Sequence, residues 1–164
     1  MVNKNNTGKT GSKIQYSHSW GNALPIYNEI KPQISVARST FYNLDSEQTS
    51  ALKRVANHSY ICFLRTSYID KRILTLIYEL GLFIGSDYWP EGLKWLEQNT
   101  KERINQLDLD MTLLLLNSAL ARDDEFGADY WYRKRITGRL LKHLVELKTA
   151  QRRQRLFCNT LTNM

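Results

Sequence analysis

Residues 100–121, TKERINQLDLDMTLLLLNSALA, decide the fold. Ile104, Leu107, Met111, Leu114, Leu115 and Ser118 recur at three- and four-residue spacing, and Leu113, Leu116 and Leu120 broaden the stripe. A surface helix carries a narrower apolar face, so this one is expected to be central and covered on several sides. A single helix from Thr100 through Ala121 is the expectation. Its neighbours must then supply the apolar faces that cover it.

Those faces can be read outward from it. Asp45 and Gln48 have the spacing of a capping box, followed by Leu52, Val55, Ala56, Tyr60, Phe63 and Leu64 at helical intervals. A further helix is expected from near Ser67, carrying Ile69, Ile73, Leu76, Ile77, Leu80 and Ile84, with Gly81 and Gly85 near its end. Pro90, just after Tyr88-Trp89, fits the first position of a short helix through Leu93 and Leu96. Asp123, Asp124 and Glu125 suit the start of a last helix running to about Phe157, with Leu140, Leu144 and Leu147 as its apolar stripe. Between residues 18 and 44, Pro25 and Pro32 interrupt the apolar residues, which predicts one short helix or an irregular segment, extended before each proline. Alternating strand patterns and repeats are missing. The expectation is an all-α, single helical bundle of five or six helices over residues 18–164, preceded by a flexible basic arm, residues 1–17 (MVNKNNTGKTGSKIQYS).

No apolar run approaches the ~18–20 residues that span a bilayer, and the N-terminus lacks the apolar core of a signal peptide. Cys62 and Cys158 form no metal-binding pattern, and Cys62 lies in an apolar run that suits a buried thiol. A cytoplasmic protein with no membrane partner is expected.

Charge carries the functional signal. Residues 1–40 hold five Lys/Arg against one acid, a net of +4; residues 41–132 hold nine against fourteen, a net of −5. Residues 133–164 hold nine (Arg133, Lys134, Arg135, Arg139, Lys142, Lys148, Arg152, Arg153, Arg155) against Glu146, a net of +8. Such a segment repels itself unless something anionic meets it. Arg135, Arg139 and Lys142 fall on one helical face over roughly 10 Å, and Lys148, Arg152 and Arg155 repeat the spacing. Tyr130-Trp131-Tyr132 stands just before them. Aromatics that stack on bases beside cations that meet phosphates are the combination of single-strand binders. A solvated helix face, or a surface for an acidic protein, would carry the same pattern.

Catalytic patterns are weak. His18, His58 and His143 are far apart, and Asp108 and Asp110 point roughly 200° apart on a helix, so no metal or shared proton is expected there. Gly8-Lys9-Thr10 lacks the glycine, strand and helix of a phosphate loop. No enzyme and no cofactor are expected. Lys53-Arg54 and Lys71-Arg72 suit exposed helix faces.

Two resemblances follow from these residues. Ser39-Thr40-Phe41-Tyr42, within residues 34–44, resembles the recognition helix of helix-turn-helix regulators of the tetracycline-repressor type, which would require a separate helix between Gly21 and Ile30. In size, helicity and charge, with Arg133, Lys134, Arg135, Arg139 and Lys142 as the contact residues, the chain resembles the small helical subunits of type I and III CRISPR surveillance complexes. That resemblance implies a non-enzymatic, sequence-independent nucleic-acid-binding subunit of a ribonucleoprotein complex in antiviral defence. Its partners would be the backbone of RNA or DNA and other protein subunits, including further copies of itself. A protein–protein adaptor with a basic docking helix is the remaining alternative.

Overall fold

The computed structural model describes residues 23–62, 71–85, 89–121 and 130–162. The expected basic arm, 1–17, and the acidic cap at 123–125 lie outside them. Among the described residues the fold is all-α, with seven helices: α1 Ala23–Tyr42, α2 Ser46–Cys62, α3 Lys71–Glu79, α4 Pro90–Gln98, α5 Thr100–Asn105, α6 Leu109–Leu120 and α7 Tyr130–Thr162.

The leucine-rich segment is central, as its pattern requires. From Leu109 to Ala119 every side chain except Asp110 is buried, and α7, α1 and α4 pack around this helix. The exception is paired: Arg38 of α1 donates from Nη1 to Asp110 Oδ2 at 2.6 Å. Residues 100–121 are nevertheless two helices rather than one. The chain breaks at Gln106–Asp108, where the Asp108 carboxylate accepts from the Met111 amide at 2.9 Å and caps α6. An aspartate at an N-cap satisfies an orphan amide that a continuous helix would not have exposed. His143 of α7 holds the break in place, with Nε2 3.0 Å from the Leu107 carbonyl oxygen.

The polar residues of α6 fix the segment before α4. Asn117 Oδ1 accepts from the Ile84 amide at 3.1 Å, while its Nδ2 donates to the Leu82 carbonyl at 3.1 Å. Ser118 Oγ accepts from the Trp89 amide at 2.6 Å. These two side chains satisfy backbone groups that burial would otherwise leave unpaired. Gly81 and Gly85 take φ of 75° and 69°, the left-handed conformation that ends α3 and turns the chain. Pro90 opens α4 as expected, and the Trp89 ring fills the space a Cβ on Gly92 would need.

The capping box of α2 forms, with Gln48 N–H donating to Asp45 Oδ1 at 2.7 Å and Asp45 N–H to Gln48 Oε1 at 3.0 Å. The expectation for the first segment fails. α1 runs unbroken through both prolines: Pro25 sits in the first turn, where no partner is lost, and Pro32 faces solvent at mid-helix. The apolar stripe Ile34, Ala37 and Phe41, buried against the core, offsets the hydrogen bond that Pro32 removes. No helix of the described residues is long and apolar enough to cross a membrane.

Candidate functional site

The basic residues of the last helix lie on α7, which packs along α2 and α6. Its half from Ile136 to Leu144 is clamped on several sides: Ile136, Thr137, Leu140, Leu141, His143 and Leu144 are all buried. Arg135 and Lys142 are exposed on the remaining strip, and Arg139 is half-buried, its Nε covered and without a hydrogen-bond partner among the described residues. Tyr130, Trp131, Arg133 and Lys134 belong to the first turns of α7, and their side chains lie outside those described.

Lys148 is not where the charge pattern placed it. Only 2% of its surface is exposed. Its ammonium donates to the carbonyl oxygens of Phe41 and Tyr42, both at 2.9 Å. It also stands 5.6 Å from the centre of the Phe41 ring. The last carbonyls of a helix have no partner within it and carry the negative end of its dipole. Lys148 therefore caps the C-terminus of α1, and Gln151 and Arg155 reach the same Tyr42 oxygen at 3.2 and 3.5 Å. Burial first, then the positive charges of Arg155 and Arg152, hold the Lys148 amine below its ordinary value of 10.5. Lys148 thus leaves the expected contact surface, because its charge is already satisfied inside.

Beyond this anchor α7 opens. Arg152, Arg153, Gln154, Arg155 and Leu156 are all exposed, Leu156 at 67%. Tyr42, 39% exposed, stands beside them at the end of α1. The structure therefore brings together three guanidinium groups and two apolar side chains at one end of the bundle, rooted by Lys148. It separates them from Lys142, about three turns earlier on α7, and from Arg135, about five turns earlier. The part of this site that charge counting missed is its apolar component, Tyr42 and Leu156. The Tyr42 carbonyl as the meeting point of three α7 donors is a tertiary fact with no sequence signal.

Residues 34–44 do not form a recognition helix preceded by a turn. Residues 34–42 are the end of the continuous α1, with Ile34, Ala37 and Phe41 facing the core, and the turn such a motif needs is absent from residues 23–42. Among the described residues no three His, Cys, Asp or Glu side chains gather as metal ligands.

Comparison with known proteins gives no relative: no protein-family model, no curated protein and no solved structure matches this chain. The likeness to CRISPR small subunits is therefore withdrawn, together with the RNA-binding, DNA-binding, ribonucleoprotein and antiviral-defence roles it implied. It rested on size, helicity and charge, which unrelated helical bundles share.

Proposed function

We propose that this chain is a protein–protein adaptor, a binding module rather than a catalyst, that docks an acidic partner surface through the distal end of α7. The observation that carries this reading is the cluster Arg152, Arg153 and Arg155 exposed around Leu156, held on α1 through Lys148. A phosphate backbone would use the cations and leave an exposed leucine idle. A protein surface with acidic and apolar groups uses both, since interfaces combine an apolar centre with a charged rim.

The test is a fluorescence-anisotropy titration with an amphipathic helical peptide rich in Glu and Leu, run beside scrambled single-stranded DNA and RNA. Binding of the peptide is expected to weaken as salt rises. The combined change Arg152→Glu, Arg153→Glu and Arg155→Glu should weaken it by at least ~10-fold. Tighter binding to the nucleic acids than to the peptide, or no peptide binding at low salt, would overturn the reading.

A further inference from the structure

A second exposed surface lies where α1 meets the end of α3. Along α1, Pro32 and Val36 are exposed, Val36 at 66%, and Thr40 continues their line one turn further on. The Thr40 methyl group lies 3.1 Å from where a Cβ on Gly81 would stand. On either side of that glycine in sequence are Tyr78, 56% exposed, and Phe83, 41% exposed. Their rings stack with centroids 4.2 Å apart and an interplanar angle of 18°. The Thr40–Gly81 contact thus joins the apolar strip of α1 to an exposed aromatic pair. Apolar side chains exposed singly are ordinary, whereas a group of them marks a place where something docks. Tyr42, which borders the arginine cluster of α7, points roughly 120° away from Val36 around α1, so the two surfaces are separate.

The charges on this surface narrow what can cover it. On a helix of 3.6 residues per turn, Glu29 falls in line with Val36, while Lys31 turns roughly 140° away. Glu79 stands next to Tyr78 at the other end of the strip. Both glutamates are exposed, and neither forms an ion pair among the described residues. Arg72, two turns before Glu79 on α3, already has an interaction within the chain. The strip therefore offers apolar groups with an acid at each end. Residues 1–28 of this same chain are its complement: they hold no acid, and Ile14 and Tyr16 follow Lys9 and Lys13. The length fits as well. From Ala23 to Val36 is roughly 20 Å along α1, and the seven residues from Ala23 back to Tyr16 reach roughly 23 Å when extended. Lys13, three residues further back, then reaches past Thr40 to Glu79. A tethered segment has an effective concentration in the mM range, so modest complementarity is enough to seat it.

We propose that residues 9–16 of this chain dock back along α1, with Tyr16 on Val36, Ile14 at the Tyr78–Phe83 stack, and Lys9 and Lys13 beside Glu79. The segment runs antiparallel to α1 and covers the strip from within the same molecule. Its positive charge keeps it off the arginine cluster of α7, which stays open to an acidic partner.

Photo-crosslinking of the full chain, with p-benzoylphenylalanine in place of Tyr16, tests it. At about 1 µM protein, far below the effective concentration of a tethered segment, the crosslinks should form within one chain. Mass spectrometry should place them on residues 29–40 and 78–83. Glu79→Lys should cut their yield at least ~3-fold, and so should Lys9→Glu with Lys13→Glu. Combining the two charge changes restores opposite signs and should recover most of the yield. Val36→Ser with Phe83→Ser should lower the yield in every charge background. Far-UV circular dichroism checks that each variant is folded, and recovery in the combined variant has no source in unfolded chains. Crosslinks that join two chains would assign the surface to a second copy and overturn the proposal. Crosslinks on other helices, none at all, or a combined variant that fails to recover would overturn it too.

Discussion

The two halves of α7 have a similar share of basic residues and opposite surroundings. Around Leu140 and Leu144 the helix is enclosed by α2 and α6, and its cations are confined to a strip holding Arg135 and Lys142. Past Lys148 the described neighbours fall away, and every side chain from Arg152 to Leu156 is exposed. Spacing on a helix says which residues share a face. It does not say whether another helix covers that face. The boundary falls where α7 passes the end of α1 at Tyr42, and Lys148 there is the last buried side chain of α7 among the described residues.

The most direct way to sharpen this contrast is to remove packing from the enclosed half. Leu144→Ala should cost about 3 kcal/mol, because a fully buried leucine leaves a cavity that the surrounding helices fill only in part. Leu156→Ala, on the open half, should change stability by less than about 0.5 kcal/mol. Urea unfolding of both variants measures the pair. Similar losses for the two would mean that the distal half is covered after all.

Next in size is the anchor between the halves. Lys148→Met keeps an unbranched side chain out to Cε but removes the ammonium that donates to the Phe41 and Tyr42 carbonyls. Hydrogen bonds from a charged group contribute about 1.5–3 kcal/mol, so a loss of about 2 kcal/mol is expected after allowing for the relief of a buried charge. Amide hydrogen exchange should show the last turn of α1 opening more readily. A variant as stable as wild type would show that the clamp only satisfies its own charge.

Much of this architecture was legible beforehand, and the failures have physical causes. Residues 109–119 announced a central helix because their apolar side chains, with four consecutive leucines at 113–116, occupy more than one face of it. Asp45 with Gln48, and Pro90 after Trp89, marked helix starts because those residue types satisfy local backbone needs. The break before α6 was hidden because Leu107 and Met111 keep helical spacing across it; the signal was Asp108, an N-cap residue at the head of the leucine run. Pro32 misled because propensity is local, whereas the burial that carries α1 through it involves residues more than 70 positions away, such as Asp110 opposite Arg38. Lys148 could have been found. It continues the four-residue series Ile136, Leu140, Leu144, so its place in the buried stripe was visible, and its charge distracted from its register.

A third, smaller effect follows from the lowered pKa of Lys148. In the unfolded chain the amine titrates near 10.5, and in the folded chain below that, so between the two values the unfolded state binds more protons. Stability contributed at this site therefore rises with pH through that window and is lost again as pH falls through the folded value. Other lysines and tyrosines titrate in the same range, so the quantity to follow is the difference between wild type and Lys148→Met. That gap should widen from neutral pH to about pH 10.5 in urea unfolding. A gap that is flat or narrows with pH would mean that the carbonyl contacts outweigh burial.

The smallest change tests how far the two halves communicate. Arg155 is exposed, its contact to the Tyr42 oxygen is long at 3.5 Å, and Arg155→Gln should alter stability by less than about 0.5 kcal/mol. Its charge is nevertheless the larger of the two that act on Lys148 after burial. Removing it should bring the Lys148 amine closer to its ordinary value and make the widening of the gap with pH smaller, without abolishing it, since burial remains. Arg153→Gln, whose charge is not among the causes of the shift, serves as the control and should leave the gap as in wild type. An acidic partner seated on Arg155 would act in the same direction by neutralising that charge, so it would ease protonation of the buried anchor. If Arg155→Gln leaves the pH dependence unchanged, burial alone sets the state of Lys148, and the exposed half of α7 can be bound without the enclosed half registering it.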